Sequence, residues 1–277
     1  MIVVTPTTDP LPPITTALLD ALTQVVASAA AAVLAVPRGQ LDTTMKADDS
    51  PVTAADMAAD AVIAEGLARL LPNLPVVSEE RCGPMPTVAS PTFALIDPLD
   101  GTKEFIAGRS EYTVNLALIR DGRPVAGLVA APAGSELYRG AIGLGAQKLA
   151  LAGAEARPGV PKNIRTRSAP PDNLVAMVSR SHLDAATVEY LSRYPVARQI
   201  AVGSSLKLCR LAEGLADIYP RLSPQSEWDL AAGHAVLAAA GGLVTTPDGN
   251  PLLYGAHPGL RVPGFIAWGD TGLAARR

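Results

Sequence analysis

Directly after an apolar stretch, Ile96-Asp97-Pro98-Leu99-Asp100-Gly101-Thr102-Lys103 sets two carboxylates three residues apart around a proline. Residues 91–96, Pro-Thr-Phe-Ala-Leu-Ile, predict a short buried strand that delivers Asp97 at its end. Pro98 has φ held at about −65° and no N–H for a ladder, so the chain is expected to turn there. Asp97 and Asp100 then converge on one point, with the Leu99 carbonyl between them. Gly101 and Thr102 open a turn or helix whose free N–H groups and hydroxyl can meet an anion. Hard oxygen ligands beside an anion cradle suit Mg²⁺ and a phosphate ester. The same residues would also make an Asx-turn followed by an N-cap, so the segment alone leaves both readings open.

Two other segments favour the metal reading. Val76-Val77-Ser78-Glu79-Glu80 is a second strand ending in acids, and Glu227-Trp228-Asp229 opens the apolar run 230–240 as a helix start. Singly, acids at a strand end read as a solvated loop, and acids at a helix start as dipole complements. Three such sites, each closing a strand or opening a helix, point to a common centre. Glu79, Asp97, Asp100 and Asp229 supply four carboxylates, enough for two divalent cations.

Composition limits what such a centre can serve. With 277 residues and 48% hydrophobic content, the chain can bury one large core or two halves sharing an interface. A net charge of −3 argues against a nucleic-acid binder, yet a small phosphorylated ligand needs only a locally positive pocket. Cys82 and Cys209 are too few for a disulfide scaffold or a zinc cluster, so a reducing cytoplasm fits. The apolar stretch 17–36 has no Lys or Arg ahead of it and is interrupted by Asp20, Gln24 and Ser28. It predicts a packed first helix ended by Pro37 and Gly39, with no transmembrane segment. Peripheral association with the cytoplasmic face of the inner membrane stays open on these arguments, as does the choice between monomer and homodimer.

Further along, 53–71 predicts a second helix with Asp56 near its N-terminus. Residues 93–97, 112–120 and 124–131 predict strands, with Asp121-Gly122 as the hairpin turn, and 137–142 and 147–151 a further hairpin. The Gly-, Pro- and Ala-rich stretch 153–171 predicts the boundary between a half 1–165 with the metal site and a half 166–277 with substrate-binding elements. In the second half, strands at 174–179, 196–201, 216–219 and 242–245 alternate with helices at 184–193, 204–213 and 229–240.

These motifs, in this order and spacing, resemble the Mg²⁺-dependent, lithium-sensitive phosphatases of the inositol monophosphatase superfamily. Within it the likeness is to the bacterial 3′(2′),5′-bisphosphate nucleotidases. The resemblance runs from about Lys46 to Gly255. It includes 46–56 with Thr53-Ala54-Ala55-Asp56, Ser78-Glu79-Glu80, Asp97 through Phe105, and Glu111-Tyr112-Thr113-Val114-Asn115. It continues with Ser179-Arg180-Ser181-His182, Gly203-Ser204-Ser205-Leu206-Lys207, 212–221, and Glu227-Trp228-Asp229 leading to Gly241-Gly242.

The resemblance implies a layered α-β-α-β-α sandwich. It implies that Glu79, Asp97 and the Leu99 carbonyl hold one Mg²⁺, that Asp97, Asp100 and Asp229 hold a second, and that a third, weaker cation sits near Glu79 and Asp56. Asp56 and Thr102 would orient and deprotonate the nucleophilic water, with Glu79 counted among the catalytic residues. Gly101, Thr102 and Lys103 would receive the scissile phosphate. Gly203, Ser204, Lys207 and Arg221 would receive the ribose and second phosphate, His182 would touch the nucleotide, and Asp229 would border the substrate. Read without the resemblance, Asp56 is also a dipole complement, Lys103 a surface lysine, Ser204 or Ser205 an N-cap, Arg221 an ion-pair partner and His182 a solvated loop residue.

The implied activity is removal of the 3′-phosphate of adenosine 3′,5′-bisphosphate, giving AMP and phosphate, linked to sulfate assimilation. An inositol-phosphate or sugar-bisphosphate phosphatase is the alternative within the superfamily. Lys103-Glu104-Phe105 and Tyr219-Pro220-Arg221 favour the nucleotidases, since inositol phosphatases more often have Thr-Asn-Phe after Asp-Gly. A non-catalytic metal or phosphate sensor is the alternative outside it, and would be expected to lack Asp56, Thr102 or Glu79.

Overall fold

The computed structural model describes residues 9–37, 44–45, 51–83, 86–181 and 183–275. The chain begins with α1 (Thr16–Ala35), the short strands β1 (Thr44–Met45) and β2 (Pro51–Val52), and α2 (Ala54–Leu70). Then come β3 (Val76–Ser78), β4 (Thr92–Asp100), α3 (Thr102–Ile106), β5 (Thr113–Arg120), β6 (Arg123–Ala131), β7 (Glu136–Ala141), β8 (Gly145–Ala152), β9 (Arg157–Pro158) and β10 (Lys162–Ile164). The remainder is β11 (Leu174–Ser179), α4 (Ala185–Leu191), β12 (Val196–Val202), α5 (Leu206–Ala212), β13 (Ile218–Arg221), β14 (Gln225–Ser226), α6 (Glu227–Ala239), β15 (Leu243–Thr245), β16 (Arg261–Val262), β17 (Phe265–Trp268) and α7 (Thr271–Ala274).

Two sheets organise these elements. The larger runs β10-β8-β7-β6-β5-β4-β3, with β9 on β8; the smaller runs β12-β11-β13-β17-β15. Strand alternation divides their side chains between separate cores. Ala94 and Ile96 of β4 join α1 and α2 in one core, while Phe93 and Leu95 join α5, α6 and the second sheet in another. A third core packs the far face of the second sheet, through Leu174, Ile218 and Trp268, against α4 and α7. The layers are therefore α1/α2, sheet, α5/α6, sheet, α4/α7, the order the resemblance implies. Helix α6 can lie flat on the large sheet because Gly127 is beneath it: a Cβ there would fall 2.3 Å from the Ala232 carbonyl oxygen.

Local physics accounts for most element ends. Thr15 caps α1 by accepting the Leu18 N–H, and Thr53 caps α2 in a reciprocal box with Asp56. Asp121 and Gly122 both have positive φ, 51° and 71°, so the hairpin they close follows the strand twist. By length and composition α1 alone among the described helices could cross a bilayer, but half of its most apolar stretch is buried inside the fold.

Three expectations are corrected. Strand β4 does not stop at Pro98: pairing breaks after Asp97↔Asn115 and resumes at Asp100↔Thr113. The stretch 153–171 is no bare linker, since β9 and β10 lie within it and extend the large sheet. The helix expected from 204 starts at Leu206, because Ser204 is left-handed with φ 50°.

Candidate active site

The irregularity in β4 places the first two carboxylates. Between the paired positions β4 takes three steps and β5 two, so one extra residue is accommodated as a bulge around Pro98 and Leu99. In a regular strand residues three apart face opposite ways; the extra residue reverses that parity and lets Asp97 and Asp100 serve one side. Parallel pairing of β3 with β4 delivers Glu79 alongside, with its N–H donating to the Ile96 carbonyl at 3.1 Å. The first turn of α6 brings in Asp229. One carboxylate oxygen from each of Glu79, Asp97 and Asp229 lies within 4.8 Å of the other two. Asp100 stands beside this triplet, its Oδ2 accepting the Ser205 N–H at 2.7 Å.

The electrostatics are those of a cation site. Burial, then the charges of Glu79, Asp100 and Asp229, push the Asp97 carboxyl well above its ordinary range. Asp229 is raised by burial and by Asp100 and Glu79. Burial raises Asp100 to about 6 against the opposing pull of Lys207. Asp97 Oδ1 accepts the Leu99 N–H at 3.0 Å, while its buried Oδ2 has no hydrogen-bond partner among the described residues. An orphaned carboxylate oxygen facing like charges fits a hard divalent cation.

Asp56 and Thr102 meet across 46 positions of sequence: the Thr102 hydroxyl donates to Asp56 Oδ1 at 3.1 Å and approaches the Leu99 carbonyl at 3.0 Å. Asp56 Oδ2 accepts the Thr53 N–H and hydroxyl at 2.8 and 2.7 Å, so the residue is both a helix cap and a partner of Thr102. Burial raises its carboxyl, opposed by the Thr53 and Thr102 hydrogen bonds. Gly101, at φ 96°, turns the chain from β4 into α3, and a Cβ there would lie 3.0 Å from the Glu111 carbonyl oxygen.

Glu79, Asp100, Asp229 and Thr102 open on a cavity of about 440 Å³ that is also lined by Gly101, Lys103, Gly203, Ser204, Lys207, Arg221 and Gln225. Lys103 is exposed at the rim. Lys207 is buried instead, with Nζ donating to the Val202 and Ser204 carbonyls at 3.1 and 2.5 Å and lying 5.3 Å from the Tyr219 ring centre. Burial lowers its ammonium to about 8 although Asp100 pulls the other way. Much of its donor capacity therefore serves the loop it sits in. Ser204 Oγ and Arg221 Nε are buried without partners among the described residues. His182 lies outside the described residues.

Several supporting residues carried no readable sequence signal. Asp60 accepts the Ser78 hydroxyl at 2.5 Å and Arg81 Nε at 2.6 Å, clamping the Glu79 turn onto α2. Its one clue is spacing, since it lies one helical turn beyond Asp56. Glu227 is not a surface acid of the first turn: fully buried, it accepts the Gly255 N–H at 2.7 Å and pairs with His257 at 2.7 Å. Gln225 lines the cavity and hydrogen-bonds Asp229. Cys209 is buried, and neither cysteine is in a disulfide.

Comparison with known proteins agrees with this geometry. The sequence profile of the inositol monophosphatase family matches residues 11–269. Over 252 residues the chain is 44% identical to the 3′(2′),5′-bisphosphate nucleotidase CysQ of Escherichia coli (strain K12), covering 90% of this chain and 98% of that protein. It is 37% identical over 240 residues to the protein of the same name from Buchnera aphidicola, with 86% and 87% covered. The crystal structure of CysQ from Bacteroides thetaiotaomicron superposes with a TM-score of 0.74 at 34% identity, over 91% of this chain and 97% of that one. The chain belongs to the inositol monophosphatase family.

Proposed function

We propose that this chain removes the 3′-phosphate of adenosine 3′,5′-bisphosphate, releasing AMP and phosphate, with Mg²⁺ at the carboxylate cluster. What carries the reading is that one cavity is lined by Glu79 and Asp229, which converge with the buried Asp97, by Thr102, which hydrogen-bonds the buried Asp56, and by the cations Lys103, Lys207 and Arg221. The similar Escherichia coli protein is a 3′(2′),5′-bisphosphate nucleotidase by name, which supports a nucleotide bisphosphate as the substrate class.

On this reading Glu79, Asp97, the Leu99 carbonyl, Asp100 and Asp229 hold two Mg²⁺, with a third, weaker ion near Glu79 and Asp56. Bound there, the cations neutralise phosphate charge and acidify water in a hydrolysis that is among the slowest uncatalysed reactions. Thr102 has one hydroxyl proton and two acceptors. The Leu99 carbonyl would be a cation ligand, which would leave Asp56 Oδ1 as the acceptor of that proton and Thr102 Oγ1 with a lone pair for a proton of the attacking water. Glu79 helps to orient that water.

Gly101 and Thr102 offer first-turn amides to the scissile phosphate, and Lys103 adds charge at the rim. Gly203 and Ser204 border the ribose, and Asp229 borders the substrate from the metal side. Arg221 meets the second phosphate, while Lys207 contributes charge and holds the loop. The 1–165 and 166–277 halves both contribute lining residues, the chain acts in the cytoplasm, and nucleic acid is not a substrate.

Phosphate release measured on adenosine 3′,5′-bisphosphate, inositol 1-phosphate and fructose 1,6-bisphosphate, each with Mg²⁺, tests the proposal. Preference for the nucleotide is expected; preference for inositol 1-phosphate would overturn it.

A further inference from the structure

Glu111 and Arg180 flank strands of the two different sheets and have no part in the chemistry above. Glu111 lies in the turn between α3 and β5, and Arg180 directly follows β11. The guanidinium grips the carboxylate as a fork, Nε to Oε2 at 2.7 Å and Nη2 to Oε1 at 2.6 Å, and Nη2 also donates to the Ala201 carbonyl of β12 at 2.9 Å. The same Oε2 accepts the Gly203 N–H at 2.9 Å. Two glycines let the Glu111 backbone sit this close. A Cβ on Gly203 would come within 3.0 Å of the Glu111 Cβ and carbonyl oxygen, and one on Gly101 within 3.0 Å of that same oxygen. One residue is thus wedged between the loop that leads into α3 and the loop that leads into α5.

The backbone beyond Gly203 depends on this pin. Ser204 holds a left-handed conformation that a non-glycine residue keeps only when its neighbours hold it there. Glu111 fixes the residue before it; Asp100 and Asn115 fix the residue after it, through Ser205 N at 2.7 Å and Ser205 Oγ at 2.7 Å. The Ser204 carbonyl so oriented takes the Lys207 ammonium. The two pins are independent: releasing Gly203 leaves Ser205 still tied to Asp100 and the carboxylates in place.

We infer that Glu111 and Arg180 are a positioning pair that sets the distance between the scissile-phosphate cradle at Gly101–Thr102 and the Gly203–Lys207 loop, and so determines selectivity for substrates bearing a second, remote phosphate. The inference rests on the nucleotidase reading above. A substrate with two phosphates gains binding energy from both receiving loops only if they are held at the matching distance, so loss of that distance weakens binding of the bisphosphate. The pair is partly solvent-exposed, 44% for the Arg180 side chain and 23% for that of Glu111, so it contributes little to stability itself.

The test compares adenosine 3′,5′-bisphosphate with adenosine 3′-monophosphate, which keeps the scissile group and lacks the remote one, in wild type, Glu111→Gln, Arg180→Met and Arg180→Lys. Expected are a rise in KM for the bisphosphate of about tenfold in Glu111→Gln and Arg180→Met and a smaller rise in Arg180→Lys, which keeps charge without the fork. The kcat, the monophosphate kinetics and the melting temperature should stay close to wild type. If wild type shows no preference for the bisphosphate, the nucleotidase reading fails and this inference with it. If wild type does prefer it but the variants lose both substrates equally, or lose melting temperature without a selective rise in KM, the positioning role alone is overturned. Should Glu111→Gln not fold, Arg180→Lys decides by the same criteria.

Discussion

Replacing Asp100 by Asn tests whether a buried carboxylate is held in the cluster at a cost to the metal-free fold until a cation arrives. Asp100 Oδ2 accepts the Ser205 N–H at 2.7 Å, and the amide oxygen of Asn can keep that bond. Burial, partly offset by Lys207 and by the Ser205 N–H, raises the carboxyl from 3.8 to about 6. At about 1.4 kcal/mol per unit, the ionised group costs the metal-free fold about 3 kcal/mol near neutral pH. The folded-state value is the higher one, so protonation favours the fold. Wild-type stability is therefore full below the unfolded value of 3.8, falls as pH rises to about 6, and carries a constant penalty above that. Metal-free Asp100→Asn should be more stable than wild type by up to about 3 kcal/mol at pH 7.5, or about 5 °C in melting temperature for a chain of this size. The advantage should disappear by about pH 4, where both proteins are neutral at that position. Thermal melts in chelator from pH 4 to 8 measure this directly. An Asp100→Asn protein no more stable than wild type at pH 7.5, or an advantage that does not change with pH, would refute the reasoning.

Asp97→Asn should reduce phosphate release by several orders of magnitude at saturating Mg²⁺ without lowering the metal-free melting temperature, because it removes a charge the cations need and relieves crowding in their absence. Near-wild-type turnover would exclude Asp97 as a shared ligand. Chelator should abolish activity and Mg²⁺ restore it, while Ca²⁺, with its longer and looser coordination, should inhibit; full turnover in excess chelator would end the metal assignment. Lithium is expected to inhibit at concentrations where sodium does not, checked by the same assay. Arg221→Ala should lower kcat/KM for adenosine 3′,5′-bisphosphate by roughly ten- to a hundredfold and leave adenosine 3′-monophosphate within a few-fold. Equal losses on the two would assign Arg221 to the fold.

The sequence alone determined what is local. Apolar stretches and their end signals, Pro37 and Gly39 after α1, Asp56 near the start of α2 and the acids Glu227 and Asp229 opening α6, gave these helices, and Asp121-Gly122 marked its hairpin, because helix ends and tight turns are decided within a few residues. The acids destined for the site were visible because each closes a strand or opens a helix. Other features needed partners distant in sequence. Pro98 predicted a turn, but pairing with β5 absorbed it as a bulge, and that bulge puts Asp97 and Asp100 on one side. The four-residue strand β17 went unread because so short an apolar run gains its identity from β13 and β15 on either side. Lys207 was legible as a cation; only tertiary structure turned its ammonium onto the Val202 and Ser204 carbonyls and left Arg221 Nε without a partner among the described residues. Asp60 with Arg81, Glu227 with His257 and Glu111 with Arg180 lie 21, 30 and 69 positions apart, and nothing local pairs them. Propensity acts over neighbouring residues, whereas desolvation and the choice of a hydrogen-bond partner depend on which groups the packed layers bring together.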